Sequence, residues 1–85
     1  MYYVYIVESE STKRWYYGFT TDLASRLDGH NKGINKSTAS RGSWIYIFIR
    51  PFENEHEARR FELYLKKSRN KNFIKRAFAE YFFSM

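Results

Sequence analysis

Apolar positions along this chain come as three short, nearly continuous runs and then as two helical stripes, and that change of period organises the reading. Residues 2–7 (YYVYIV) are aromatic and β-branched throughout and read as a strand. The polar segment 8–14 (ESESTKR) reads as a turn. Residues 15–19 (WYYGF) make a second strand, in which Gly18 marks a bulge or a close approach by another group. Two strands so near in sequence are most economically an antiparallel hairpin. Thr20 or Thr21 can cap a helix beginning at Asp22, with Leu23 and Leu27 on its buried side. The run Asn31-Lys32-Gly33 stops that helix, and residues 33–43 (GINKSTASRGS) form one long loop. Residues 44–49 (WIYIFI) are the third strand, which Pro51 is expected to end. Asn54-x-x-Glu57 resembles a capping box and opens a helix running to about residue 67, with Ala58, Phe61 and Leu65 as its apolar stripe. After an interruption at residues 68–72, Phe73, Ala77 and Phe78, with Tyr81 and Phe82, mark a last helix. The expected order is ββαβαα, an α+β arrangement of a three-stranded antiparallel sheet flanked by helices.

Length bounds the answer next. Eighty-five residues provide one domain, 1–85, and exclude the large enzyme barrels and dinucleotide-binding folds. The absence of cysteine excludes disulfides and thiolate metal sites. No apolar run approaches the length of a membrane span and no leader peptide is visible, so a cytoplasmic protein is expected. A formal net charge of +6 points to an anionic partner, nucleic acid before acidic lipid. The 18 aromatic residues argue against disorder.

The charge is unevenly spread. Between Arg59 and Arg76 lie eight basic residues and a single acid, Glu62. Because Phe61, Tyr64, Leu65, Phe73 and Ile74 are interleaved with them, these bases ride on packed helices and can follow a phosphate backbone. Glu62 and Lys66 are four apart, the spacing of an ordinary helical ion pair. An acid in a phosphate-binding face also suits a hard cation. Arg26 and His30 are four apart on the first helix and share a face, either as an exposed pair or as part of a site. Tyr5 and Tyr16 lie in strands and serve equally as packing or as chemistry. A tyrosine acting as a base needs help, since its free pKa is about 10.

Taken together, these fragments resemble the GIY-YIG nuclease superfamily, and within it the small stand-alone bacterial proteins. The first motif falls on Tyr3-Val4-Tyr5 and the second on Tyr16-Tyr17-Gly18. The helix arginine falls on Arg26, the histidine on His30, the metal-ligand glutamate on Glu62, and the subgroup's basic loop on residues 35–41. The resemblance implies metal-dependent hydrolysis of phosphodiester bonds, with one Mg²⁺ or Mn²⁺ on Glu62. Tyr5 would be the general base with His30 assisting, or Tyr16 would take that role while Tyr5 positions. Arg26 would hold a phosphate oxygen. Gly18 would let the strand pass close to substrate, and Lys36, Arg41, Lys66, Lys67 and Arg69 would bind flanking phosphates.

The first motif's glycine is Tyr3 here, and the second motif's small central residue is Tyr17. Asn70 and Asn72 are candidates for the polar residue that many nucleases place after the metal ligand. With no attached DNA-binding domain in the chain, little sequence selectivity is expected, or a partner protein that supplies it. DNA is expected ahead of RNA. A homodimer is also open, because Phe78, Tyr81, Phe82 and Phe83 offer more apolar surface than a small sheet can cover. Two rival readings remain: a nucleic-acid-binding module on the same fold that does not cleave, and a small protein-interaction domain. The nuclease reading requires Tyr5, Tyr16, Arg26, His30 and Glu62 to converge, and it fails if Glu62 turns to solvent and pairs with Lys66.

Overall fold

The first apolar run carries large side chains on both of its faces, which is tolerable only in the middle of a sheet covered on both sides. The computed structural model, which describes residues 1–32, 43–68 and 70–83, places it there. β1 (Tyr2–Ser9) lies between β2 (Trp15–Thr20) and β3 (Trp44–Phe52), antiparallel to both. Val4, Tyr5, Ile6 and Val7 have no exposed surface. The remaining elements are α1 (Leu23–Asn31), between β2 and β3, then α2 (Glu55–Ser68), α3 (Lys71–Ala77) and a 3₁₀ turn at Ala79–Tyr81. This is the expected ββαβαα order. No helix among the described residues is long and apolar enough to cross a membrane.

Alternation along β1 divides the core in two. Val4 and Ile6 face Ala58 and Leu65 of α2 and Ile74 of α3, with Phe48 of β3 between them. Tyr5 and Val7 face the opposite way, with Trp44, Tyr16 and Tyr46 from the sheet and Leu23 and Leu27 from α1. Fully burying one such apolar side chain stabilises the fold by about 1.5–3 kcal/mol. On the α2 side the rings also enclose a cation. The Arg50 guanidinium lies 4.6 Å from the Phe61 centroid, 4.9 Å from Phe52, 5.0 Å from Tyr81 and 6.0 Å from Phe78. Ring quadrupoles thereby replace part of the hydration that this charge gives up.

Three expectations change at the ends of elements. β3 does not stop before Pro51 but continues through it to Phe52. It is an edge strand, where proline's missing N–H removes no ladder bond. The outer side of β3 is partly closed by the C-terminal segment, through the bridge between Phe48 and Phe82 and a 3.0 Å bond from Phe83 N to the Ile47 carbonyl. Asp22, expected as the first helical residue, is instead the N-cap of α1, its Oδ1 accepting from Ser25 N at 3.1 Å. In α3 the buried residue is Ile74, whereas Phe73 is exposed. Asn70 caps that helix, its Oδ1 accepting from Phe73 N at 3.0 Å, which sets the register that turns Ile74 inward.

Helix α1 is tied to β3 at both ends. At its start the Tyr46 hydroxyl donates to the Leu23 carbonyl at 2.6 Å. At its end the Asn31 amide acts as a surrogate strand: Oδ1 accepts from Trp44 N at 2.6 Å and Nδ2 donates to the Trp44 carbonyl at 3.3 Å. Asn31→Ala removes both bonds, and we expect it to cost about 1–3 kcal/mol. Urea unfolding measures the loss, and hydrogen exchange at the Trp44 amide, which should quicken well beyond the global change, locates it.

Candidate active site

On the α1 side of the sheet the missing side chain of Gly18 leaves a gap that the ring of Tyr5 fills. Tyr5 and Gly18 are directly opposed in the β1–β2 register. A Cβ built on Gly18 would lie 2.5 Å from the Tyr5 Oη and 2.6 Å from its Cζ. The close approach that the glycine signals is therefore the protein's own tyrosine. Gly18 is buried, so it shapes the site from beneath and is not a surface contact for nucleic acid.

From this seat the Tyr5 hydroxyl meets two residues of α1, one turn apart. Arg26 Nε donates to it at 3.0 Å, and His30 Nε2 lies 2.9 Å away. The guanidinium has no lone pair to offer, so the tyrosine oxygen accepts from Arg26 and its own proton is directed to His30. His30 thus serves as acceptor at Nε2. Burial first, and then the Arg26 charge, lower its pKa below the ordinary histidine value and keep it neutral. The Tyr5 pKa is raised: burial outweighs the opposing hydrogen bond and charge of Arg26, while the charges of Tyr16 and Glu62 add to the rise. The neighbouring arginine does not bring the Tyr5 pKa below the ordinary tyrosine value, because desolvation is the larger effect.

The Tyr16 ring lies 4.8 Å from that of His30, edge-on, and its hydroxyl also hydrogen-bonds Arg26. Tyr5 and His30 are enclosed, whereas Tyr16 is half-buried and Arg26 exposed. The four side chains therefore form an enclosed base, Tyr5 and His30, beneath an accessible rim of Tyr16 and Arg26. Tyr46 and Trp44 complete the enclosure, with ring centroids 5.3 Å from Tyr5 and 6.4 Å from His30 respectively. Both were missed as site residues, although the alternation in WIYIFI already sets them on one face.

Glu62 joins this group through its charge. Its carboxylate is within electrostatic reach of Tyr5, and Oε2 pairs with Lys66 Nζ at 3.3 Å. It has not turned to solvent: its side chain is 19% exposed against 48% for Lys66. One half of the condition set against the nuclease reading is thus present, and the other is not. Among the described residues no three His, Asp or Glu side chains gather into a group that could hold a metal. Glu62 alone suits a Mg²⁺ ion that takes its other ligands from water and phosphate oxygens, and does not suit a cation held by protein ligands alone. Lys67 is exposed on α2, while Lys36, Arg41 and Arg69 lie outside the described residues. Asn70 is occupied as a helix cap.

The GIY-YIG catalytic domain family matches residues 1–76 of this chain. The UPF0213 protein CPE1444 of Clostridium perfringens is 38% identical over 68 residues, 79% of this chain and 72% of that protein. The UPF0213 protein YazA of Bacillus subtilis is 36% identical over 67 residues, 78% of this chain and 67% of its own. The solution NMR structure of the UPF0213 protein BH0048 from Bacillus halodurans superposes with a TM-score of 0.53 at 32% identity, covering 93% of this chain and 84% of that one.

Two outcomes follow from the geometry. Gly18→Ala drives a methyl group into a phenol held on two sides, and should cost about 1–3 kcal/mol in urea unfolding. His30 contributes a pH dependence. Its folded pKa is depressed, so the stability due to its neutral form is complete above the ordinary value near 6.5 and is lost as pH falls through the folded value. Between neutral pH and about pH 5 the urea midpoint of the wild type should therefore fall more than that of His30→Gln. Equal slopes in the two proteins would contradict the buried neutral imidazole.

Proposed function

The chain belongs to the GIY-YIG family, and from that premise we propose that it binds nucleic acid, DNA ahead of RNA, through the rim formed by Arg26 and Tyr16. The observation that carries this reading is the state of Arg26. Its Nε is committed to Tyr5, the residue is exposed, and among the described residues it is in no ion pair. A guanidinium pinned at one end presents its remaining donors in a fixed orientation, the arrangement suited to a phosphate. Tyr5 and His30, enclosed beneath it, are positioning residues that hold the fork in place. The surroundings of Glu62 favour binding over cleavage, because its carboxylate is paired with its own Lys66.

Hydrolysis is the second reading, favoured by the half-buried Tyr16 hydroxyl beside Arg26 and by the reach of the Glu62 charge. In this reading Tyr16, accessible where Tyr5 is not, would enter the step as a phenolate and take a proton from the attacking water. As the water oxygen bonds to phosphorus, the P–O ester bond breaks and the leaving oxygen takes a proton from solvent. Arg26 holds a non-bridging oxygen as charge builds on it. Glu62, released from Lys66, would hold a Mg²⁺ or Mn²⁺, which supplies Lewis-acid stabilisation of the phosphate and the leaving oxygen. Lys67 on α2 binds flanking phosphates in either reading, and Lys66 joins it where Glu62 is released.

Anisotropy with labelled single-stranded, duplex and branched DNA and with RNA, with and without Mg²⁺ or Mn²⁺, tests both. Binding by the wild type should weaken about tenfold in Arg26→Ala, the loss of one charged phosphate contact. Gels of the same samples should show intact substrate. A metal-dependent product that disappears in both Glu62→Ala and Tyr16→Phe would establish hydrolysis instead. Failure of the wild type to bind any of these substrates would overturn both readings.

A further inference from the structure

On the opposite face of the sheet, the β1–β2 turn and α3 meet over Trp15. We infer that Lys13, Lys71 and Lys75 form there a second patch, separate from Arg26, that grips the phosphate backbone of a nucleic-acid duplex. Trp15 precedes Tyr16 in β2, so the two side chains leave opposite faces of the sheet. Trp15 packs with the α2 side, its ring 5.9 Å from that of Phe82. Lys71 Nζ lies 4.9 Å and Lys75 Nζ 5.7 Å from the Trp15 centroid. These residues are one turn apart on α3, so two like charges are drawn to one indole despite their mutual repulsion. Lys71 is also fixed by a 3.1 Å bond from Nζ to the Lys13 carbonyl.

A second, independent observation concerns Lys13 itself. Its φ is 64°, in the left-handed region that glycine and asparagine occupy with least strain. A turn chosen for its backbone alone would carry one of those residues. A lysine there puts a further cation at the tip beside Lys71. All three lysines are exposed, and among the described residues none is in an ion pair. The acid at this patch is Glu8, whose Oε2 accepts from the Trp15 indole at 2.9 Å. The patch lies about 10 Å along β2 from Gly18 and across the sheet from it. A duplex on this face would leave the Arg26 rim free for a second segment.

The inference rests on the nucleic-acid reading, and duplex DNA titrated at several salt concentrations separates the two. For the wild type, log K against log[salt] should be steep. Lys13→Gly should flatten the slope by about 0.9 and Lys71→Gln/Lys75→Gln by about 1.8, one increment per phosphate contact. Lys13→Gly should at the same time leave the thermal midpoint unchanged or raised, since it relieves the left-handed turn. A structural role for Lys13 predicts the reverse pairing, lower stability with an unchanged slope. Slopes equal to the wild type in both variants, with Arg26→Ala still weakening binding, would overturn the second patch and leave the proposed function standing. No duplex binding by the wild type would overturn both.

Discussion

The phenol of Tyr5, laid over Gly18 and hydrogen-bonded by Arg26 and His30, is the contact on which the organisation of the site depends. A buried hydroxyl left without partners would be costly, so the two side chains one turn apart on α1 are held to the sheet as firmly as its packing holds them. The same contact sets protonation. It directs a proton to His30 Nε2, while burial and then the Arg26 charge keep that imidazole neutral and the positive charge stays on Arg26 at the rim. The ties from Tyr46 and Asn31 act on the same object from the other side, anchoring both ends of α1 to β3.

The formal charge of +6 is less available than a count of side chains suggests. Arg50 is enclosed by four rings, Arg59 pairs with Glu55 and lies over Phe19, and Lys66 pairs with Glu62. Aromatic surface and positive charge, which look like independent excesses, are partly used on one another. Among the described residues, Arg26 on the α1 side and Lys71 and Lys75 beside Trp15 on the other are exposed and in no ion pair.

Much of this was legible in the sequence because it rests on local rules. The three strands, the Asn54 cap of α2, which bonds His56 N at 2.8 Å, and the Ala58–Leu65 stripe follow from periodicity and end chemistry. Motif spacing located Tyr5, Tyr16, Arg26 and His30, and these do come together. The errors share one cause. Pro51 and Phe73 were judged without knowing their neighbours. A proline is tolerated when its strand is at the edge, and a phenylalanine stays outside when a cap sets the helix register so that the next residue turns in.

By itself, then, the sequence determined the order and type of the elements, the three apolar strands, the basic balance and the family. Each depends on neighbours a few residues away or on the sum of side chains. Tertiary structure alone decided that β1 is the middle strand, that Gly18 is a seat for Tyr5, and that Tyr5 and His30 are enclosed while Tyr16 and Arg26 are not. It also decided that Lys71 and Lys75 share one indole and that Lys71 reaches the Lys13 carbonyl. Residues 13 and 71 stand 58 apart in the chain, and their meeting depends on how two helices close over the sheet, which no local period encodes.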